Sequence, residues 1–144
     1  MHEPAKYNCP FCRILSDESE SSIELIFESK FSVGFLGLRG NEKSGPTVLI
    51  ASKKHYENIY SLPPEVVADS FVLAQNVAVA LKEEFQVDGT TIWQHNEPAG
   101  DQDVWHFHLH VKGRLEGDSL YKETAYELTS EERQFIRARL KNYQ

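Results

Sequence analysis

Within residues 104–111 (Val104, Trp105, His106, Phe107, His108, Leu109, His110 and Val111) three polar histidines alternate with the apolar Phe107, Leu109 and Val111. An extended strand sends successive side chains to opposite faces. The pattern therefore predicts a strand that buries Phe107, Leu109 and Val111 and presents His106, His108 and His110 together. Upstream, residues 23–27 and 31–36 are β-rich runs around Glu28-Ser29-Lys30, the signature of a hairpin. Residues 37–45 read as a polar loop, and Pro46-Thr47-Val48-Leu49-Ile50-Ala51 as a buried strand. Ser52-Lys53-Lys54-His55 then leads into a short helix through Ile59. Pro63 suits the first turn of a further helix. Beyond it Val67, Phe71, Ala74, Ala78, Leu81 and Phe85 recur at three- and four-residue steps, which predicts an amphipathic helix packed on a sheet. Gly89 precedes Thr90-Thr91-Ile92-Trp93-Gln94, a β-branched and aromatic strand. A loop with Asn96, Pro98 and Gly100 follows. Thr129-Ser130-Glu131-Glu132 is a capping box opening a helix with Ile136, Leu140 and Tyr143 on one face. The sum is an α+β fold: about five mainly antiparallel strands, one long helix and a C-terminal helix.

Length and charge narrow the function. At 144 residues the chain is expected to form one domain spanning 1–144, burying roughly two thirds of its unfolded surface. Twenty-two acids against fifteen bases give a net charge of −7, the wrong sign for a nucleic-acid duplex binder. An anionic small ligand would be held by a local site, not by the global field. No apolar run approaches the ~20 residues that span a bilayer. The opening Met1-His2-Glu3-Pro4-Ala5-Lys6 lacks the apolar stretch of a signal peptide. The expected location is the cytoplasm, without a membrane partner, and there two cysteines serve as ligands or free thiols in preference to a disulfide.

Two clusters carry chemistry. Cys9-Pro10-Phe11-Cys12 is either half of a zinc site or a pair of buried thiols; the strand–helix–strand context of a redox motif does not adjoin it. The three strand histidines are the stronger signal. Desolvated imidazoles sharing one face repel if protonated and need partners if neutral, so a task must hold them there. One such task is an all-histidine catalytic metal site. The other is attack of an imidazole nitrogen on phosphorus to form a covalent intermediate. Spacing alone leaves both open.

The flanking residues resemble the histidine triad (HIT) family of nucleotidyl hydrolases and transferases, whose signature is His-x-His-x-His followed by apolar positions. The resemblance runs from about residue 9 to Arg114. It includes Cys9-Pro10-Phe11-Cys12-Arg13-Ile14, Lys53-Lys54-His55, Leu62-Pro63-Pro64-Glu65, Asn96-Glu97-Pro98-Ala99-Gly100 and Gln102-Asp103-Val104-Trp105-His106. It implies a five-stranded antiparallel fold, commonly a homodimer, that hydrolyses a nucleoside 5′-phosphoryl bond in a phosphoramidate, dinucleoside polyphosphate or similar nucleotide-like small molecule. It makes His108 the nucleophile, with His110 contacting phosphate oxygens and Asn96 and Gln102 approaching the substrate phosphate. It also joins Cys9, Cys12, His55 and His106 in a structural zinc site, with no organic cofactor. A closed Cys2His2 site has no position for catalytic water, which turns His106 from catalyst into anchor. The chain departs from the family pattern at Gly37, where a ribose-binding Asp or Asn is usual, at Pro46 after Gly45, at Asp101 and Asp103, and at Lys112. The alternative that Gly37 and Pro46 motivate is a non-catalytic nucleotide- or partner-binding module on the same fold. His2 and His95 match no family position and receive no role.

Overall fold

A computed structural model describes residues 2–16, 25–41, 43–118, 120 and 126–143. Ten elements are numbered here in chain order. They are α1 (Pro10–Leu15), β1 (Leu25–Glu28), β2 (Ser32–Leu36), β3 (Arg39–Gly40), β4 (Thr47–Ser52), α2 (Pro64–Phe85), β5 (Gly89–Gln94), β6 (His108–Arg114), β7 (Tyr126–Glu127) and α3 (Ser130–Leu140). The five longer strands form one antiparallel sheet in the order β1-β2-β4-β6-β5. The α+β architecture expected from the sequence is thus the architecture present. The expected strand residues Ile23 and Glu24 lie outside the described residues.

The sheet is covered on both faces. Ile50, Leu109 and Val111 pack against α2, with Phe107 in the same core. On the opposite face Val33, Phe35 and Ala51 pack against Phe11 and Ile14 of α1. Burial from both sides explains why every residue of β2 is buried. Asp69 of α2 fixes the β1–β2 turn by accepting from the Ser29 hydroxyl (2.6 Å) and the Phe31 amide (3.2 Å).

Several local expectations shift. In α2 the buried stripe is Val66, Ser70, Leu73, Ala74, Val77, Ala80 and Leu81, and Phe71 stands 47% exposed. Apolar residues lie on both sides of this helix, so three- and four-residue spacing fits two neighbouring stripes; Val67, Ala78 and Phe85 are only partly buried flanks. By length and apolarity this 22-residue helix could cross a membrane, a composition the sequence reading did not register. Seven of its residues are instead buried in the fold. The short helix through Ile59 is a 3-10 turn at Ile59–Ser61, capped by the Asn58 side chain. The loop at 37–45 contains β3, which pairs with β7 from near the C-terminus, a long-range contact without local signal. The predicted C-terminal face keeps Ile136 and Leu140 buried, while the Tyr143 side chain lies outside the description.

The histidine strand starts later than the alternation predicts. β6 opens at His108, and residues 104–107 bend, with the His106 amide donating to Val104 O at 2.8 Å. Phe107 N bonds instead to Tyr56 O at 2.6 Å. At the other end of β6, Gly113 approaches Gly45 so closely that a Cβ on Gly45 would meet Val87 at 2.7 Å and the Gly113 Cα at 3.1 Å. The glycine pair brings β6 hard against the start of β4.

Candidate active site and metal cluster

The first site residues are set by a single helical turn. Cys9 caps α1, its sulfur accepting from the Cys12 amide at 3.5 Å, and Pro10 occupies the first position. Both sulfurs therefore project from the same turn toward His55 and His106. Cys12 Sγ lies 3.3 Å from His55 Nδ1 and 3.6 Å from His106 Nδ1, and Cys9 Sγ lies 3.3 Å from His106 Nδ1. The four ligand atoms all fall within 4.8 Å of one another. A tetrahedral zinc, with bonds of about 2.3 Å to sulfur and about 2.0 Å to nitrogen, sets sulfur and nitrogen about 3.5 Å apart.

The outer nitrogens confirm that the donor set fits a cation. His106 Nε2 points at the Ser52 carbonyl (2.8 Å), which can only accept, so that nitrogen carries the proton and Nδ1 turns its lone pair inward. His55 Nε2 lies 2.8 Å from the Glu3 carboxylate, which orients it the same way. A metal-ligating histidine characteristically donates its far N–H to such a carbonyl or carboxylate. Burial pulls His106 down to about 4, leaving it neutral, as a ligand must be. Burial and the adjacent Cys9 sulfur push the Cys12 thiol up to about 12, so cation binding there displaces protons.

Phe11 links this cluster to the next histidine. Its ring packs edge-on against both His106 (5.7 Å) and His108 (5.1 Å). His108 is buried and donates from Nδ1 to the His106 carbonyl at 2.7 Å. That bond fixes the tautomer and leaves Nε2 with the lone pair. Burial lowers its pKa, which favours the unprotonated nucleophilic form. His110 lies one pair further along the same face, 4.9 Å from His108 and stacked on Trp93 at 4.7 Å with only 7° between the planes. Burial, with the neighbouring His108 and His95, drives His110 down to about 3. It is a neutral imidazole near neutrality, able to offer one N–H to a phosphate oxygen.

Asn96 and Gln102, the other two expected site residues, lie in the loop before the histidines. Asn96 accepts from the Ile59 amide (3.0 Å) and exchanges bonds with the Gln94 side chain. Gln102, 5% exposed, donates to Glu57 O (2.5 Å) and Val104 O (3.0 Å) and accepts from Glu97 N (2.7 Å). Both amides hold the loop that leads into the histidines. Gly37 donates its amide to Thr47 O at 2.8 Å, and a Cβ there would lie 3.2 Å from that oxygen. Lys112, 1% exposed on the histidine face, donates to Gly45 O and Thr47 Oγ1.

Residues outside the sequence expectation complete the neighbourhood. Trp93 stacks on His110, and His95 stands 5.7 Å from the same ring. The period of β5 was the available signal: Thr91 and Trp93 share one side, Trp93 pairs with His110, and His95 follows directly after the strand. Ser52 and Glu3 orient the metal-cluster histidines, but nothing local in the sequence brings them there.

A five-stranded antiparallel sheet thus carries a tautomer-fixed imidazole beside a Cys2His2 cluster. The HIT domain family model matches residues 20–117, and the chain belongs to the HIT family. It is 30% identical over 104 residues to Protein hit of Bacillus subtilis, covering 72% of this chain and 69% of that one. Adenosine 5′-monophosphoramidase HNT1 of Saccharomyces cerevisiae is 31% identical over 113 residues, covering 77% of this chain and 66% of that one. Among solved structures, a zinc-bound histidine triad family protein from Mycobacterium smegmatis superposes with a TM-score of 0.77 and 31% identity, covering 94% of each chain.

Proposed function

We propose that this chain hydrolyses a nucleoside 5′-phosphoryl bond through a covalent nucleotidyl-His108 intermediate, with a phosphoramidate as the first substrate to try. The observation that carries the reading is the 2.7 Å bond from His108 Nδ1 to the His106 carbonyl, which assigns the lone pair to Nε2. The yeast relative's activity supports the choice of substrate. Attack by Nε2 displaces the leaving group, and water then releases the nucleoside monophosphate. His110 contacts the phosphate oxygens. The test is steady-state hydrolysis of adenosine 5′-phosphoramidate. His108→Asn should lower kcat at least about a thousandfold while the melting temperature holds; retention of activity would rule this mechanism out.

The second reading, a binding module without turnover, is favoured by the amides of Asn96 and Gln102 being committed to the loop and by the bare Gly37. It predicts nucleotide affinity that His108→Asn leaves intact and no hydrolysis by the wild-type protein.

Zinc is the proposed occupant of Cys9, Cys12, His55 and His106. The fit of the donor set and the zinc-bound mycobacterial relative support it. The ion would hold α1 and the bend before β6 together. A homodimer is the proposed assembly, since β5 is an edge strand and Phe71, Val72, Val79 and Ile92 expose apolar surface beside it. A cytoplasmic location is part of the same proposal.

A further inference from the structure

His95 is the fourth imidazole of this neighbourhood, and the register of the sheet explains why. Trp93 pairs with His110 and Gln94 with Leu109, so the next position of that strand falls across from His108. The chain leaves the sheet there, and His95 donates from Nδ1 to the Asp101 carbonyl at 2.9 Å. Asp101 holds its carbonyl in place with a left-handed backbone, φ 62°. A carbonyl only accepts, so Nε2 is the nitrogen of His95 left to exchange protons. The ring lies 5.7 Å from His110 and is half-buried at the rim. A positive charge on it is felt by both His108 and His110.

A departing amine or alkoxide needs a proton as its bond to phosphorus breaks. His110 is poorly suited to supply it, because burial and its neighbours keep that ring neutral. Asp103 is exposed to solvent. Imidazole is the side chain that gives and retakes a proton near neutrality.

We infer that His95 is the general acid of this site, delivering the Nε2 proton to the leaving group as His108 attacks phosphorus. The inference rests on the His108 reading above. In the first half-reaction His108 Nε2 bonds to phosphorus and the P–N bond of a phosphoramidate breaks. Its electron pair leaves with nitrogen, which takes the proton from His95, and neutral amine departs. In the second half, water oxygen bonds to phosphorus as the P–Nε2 bond to His108 breaks. The water proton passes to His95, restoring its imidazolium and releasing nucleoside monophosphate.

The test compares two adenosine 5′-monophosphate derivatives on the full chain: an alkylamine phosphoramidate, whose leaving group needs a proton, and a p-nitrophenyl ester, whose leaving group departs as the anion. His95→Gln should lower kcat/KM about a hundredfold on the amine and leave the aryl ester within about threefold. His95→Ala should show the same split, with added imidazole restoring part of the amine activity. Equal losses on both substrates, or no loss on the amine, overturn the assignment of His95 while leaving the His108 reading standing. A wild-type protein that turns over neither compound removes both.

Discussion

Two residues bracketing the loop before the histidines adopt backbone conformations that favour glycine. Glu97 lies at φ 60°, ψ 169° and Asp101 at φ 62°, ψ 27°. Such strain costs on the order of 1–3 kcal/mol per residue and persists where surrounding bonds over-determine it. Here Gln102 supplies those bonds: its side-chain oxygen accepts from Glu97 N, and its own amide donates to Glu97 O. Glu97→Gly is therefore expected to raise stability by about 1 kcal/mol in urea unfolding, and Gln102→Ala to lower it. Acid sensitivity follows from His110, whose pKa falls from 6.5 to about 3 on folding. Between those values the unfolded chain binds a proton that the folded chain refuses. This stability is complete above pH ~6.5 and drains away as the pH falls toward 3. Urea unfolding at pH 7.5 and pH 5 should show a smaller loss for His110→Phe, which keeps the stacking on Trp93, than for wild type. The clustering of Cys9, Cys12, His55 and His106 was legible because their spacing and residue types are unusual, and the same holds for His108 as the candidate nucleophile. The bonds that Asn96 and Gln102 make from the loop were not legible, because the residues they reach, Ile59 and Glu57, are distant in sequence.

The regular elements were read from the chain with accuracy that followed how local their causes are. The capping box at α3 is present as expected: Thr129 Oγ1 accepts from Glu132 N at 3.2 Å, and the Glu132 carboxylate accepts from Thr129 N at 2.8 Å. Thr129→Ala should cost about 1 kcal/mol, measured by thermal or denaturant unfolding. The stripe of α2 was misplaced because apolar residues flank it on both sides, and the β3–β7 ribbon was invisible because its partners are distant in sequence. The six-residue helix α1 is too short to stand alone. Its place depends on the Cys9 and Cys12 sulfurs and on Phe11 and Ile14 against the sheet. Removal of the proposed zinc by a chelator, or Cys12→Ser, is expected to lower the melting temperature and increase amide exchange in α1 and residues 104–107. A protein whose melting is indifferent to both would not be held together by metal.

The proposed homodimer is argued from what the fold leaves uncovered. Among the described residues β5 is an edge strand of the sheet, and Phe71, Val72 and Val79 of α2 are 47%, 59% and 47% exposed. Edges and apolar patches of this kind invite a second chain. Light scattering after size exclusion should give twice the mass of one chain, and Val79→Glu should shift it toward the monomer. The proposed chemistry, in contrast, rests on one atom, Nε2 of His108. Its most direct test is intact-mass analysis of the protein quenched milliseconds after mixing with adenosine 5′-phosphoramidate. The account predicts a gain of one adenylyl group, mapped to His108 and missing in His108→Asn. Hydrolysis without any such adduct, or an adduct that survives in His108→Asn, would contradict it.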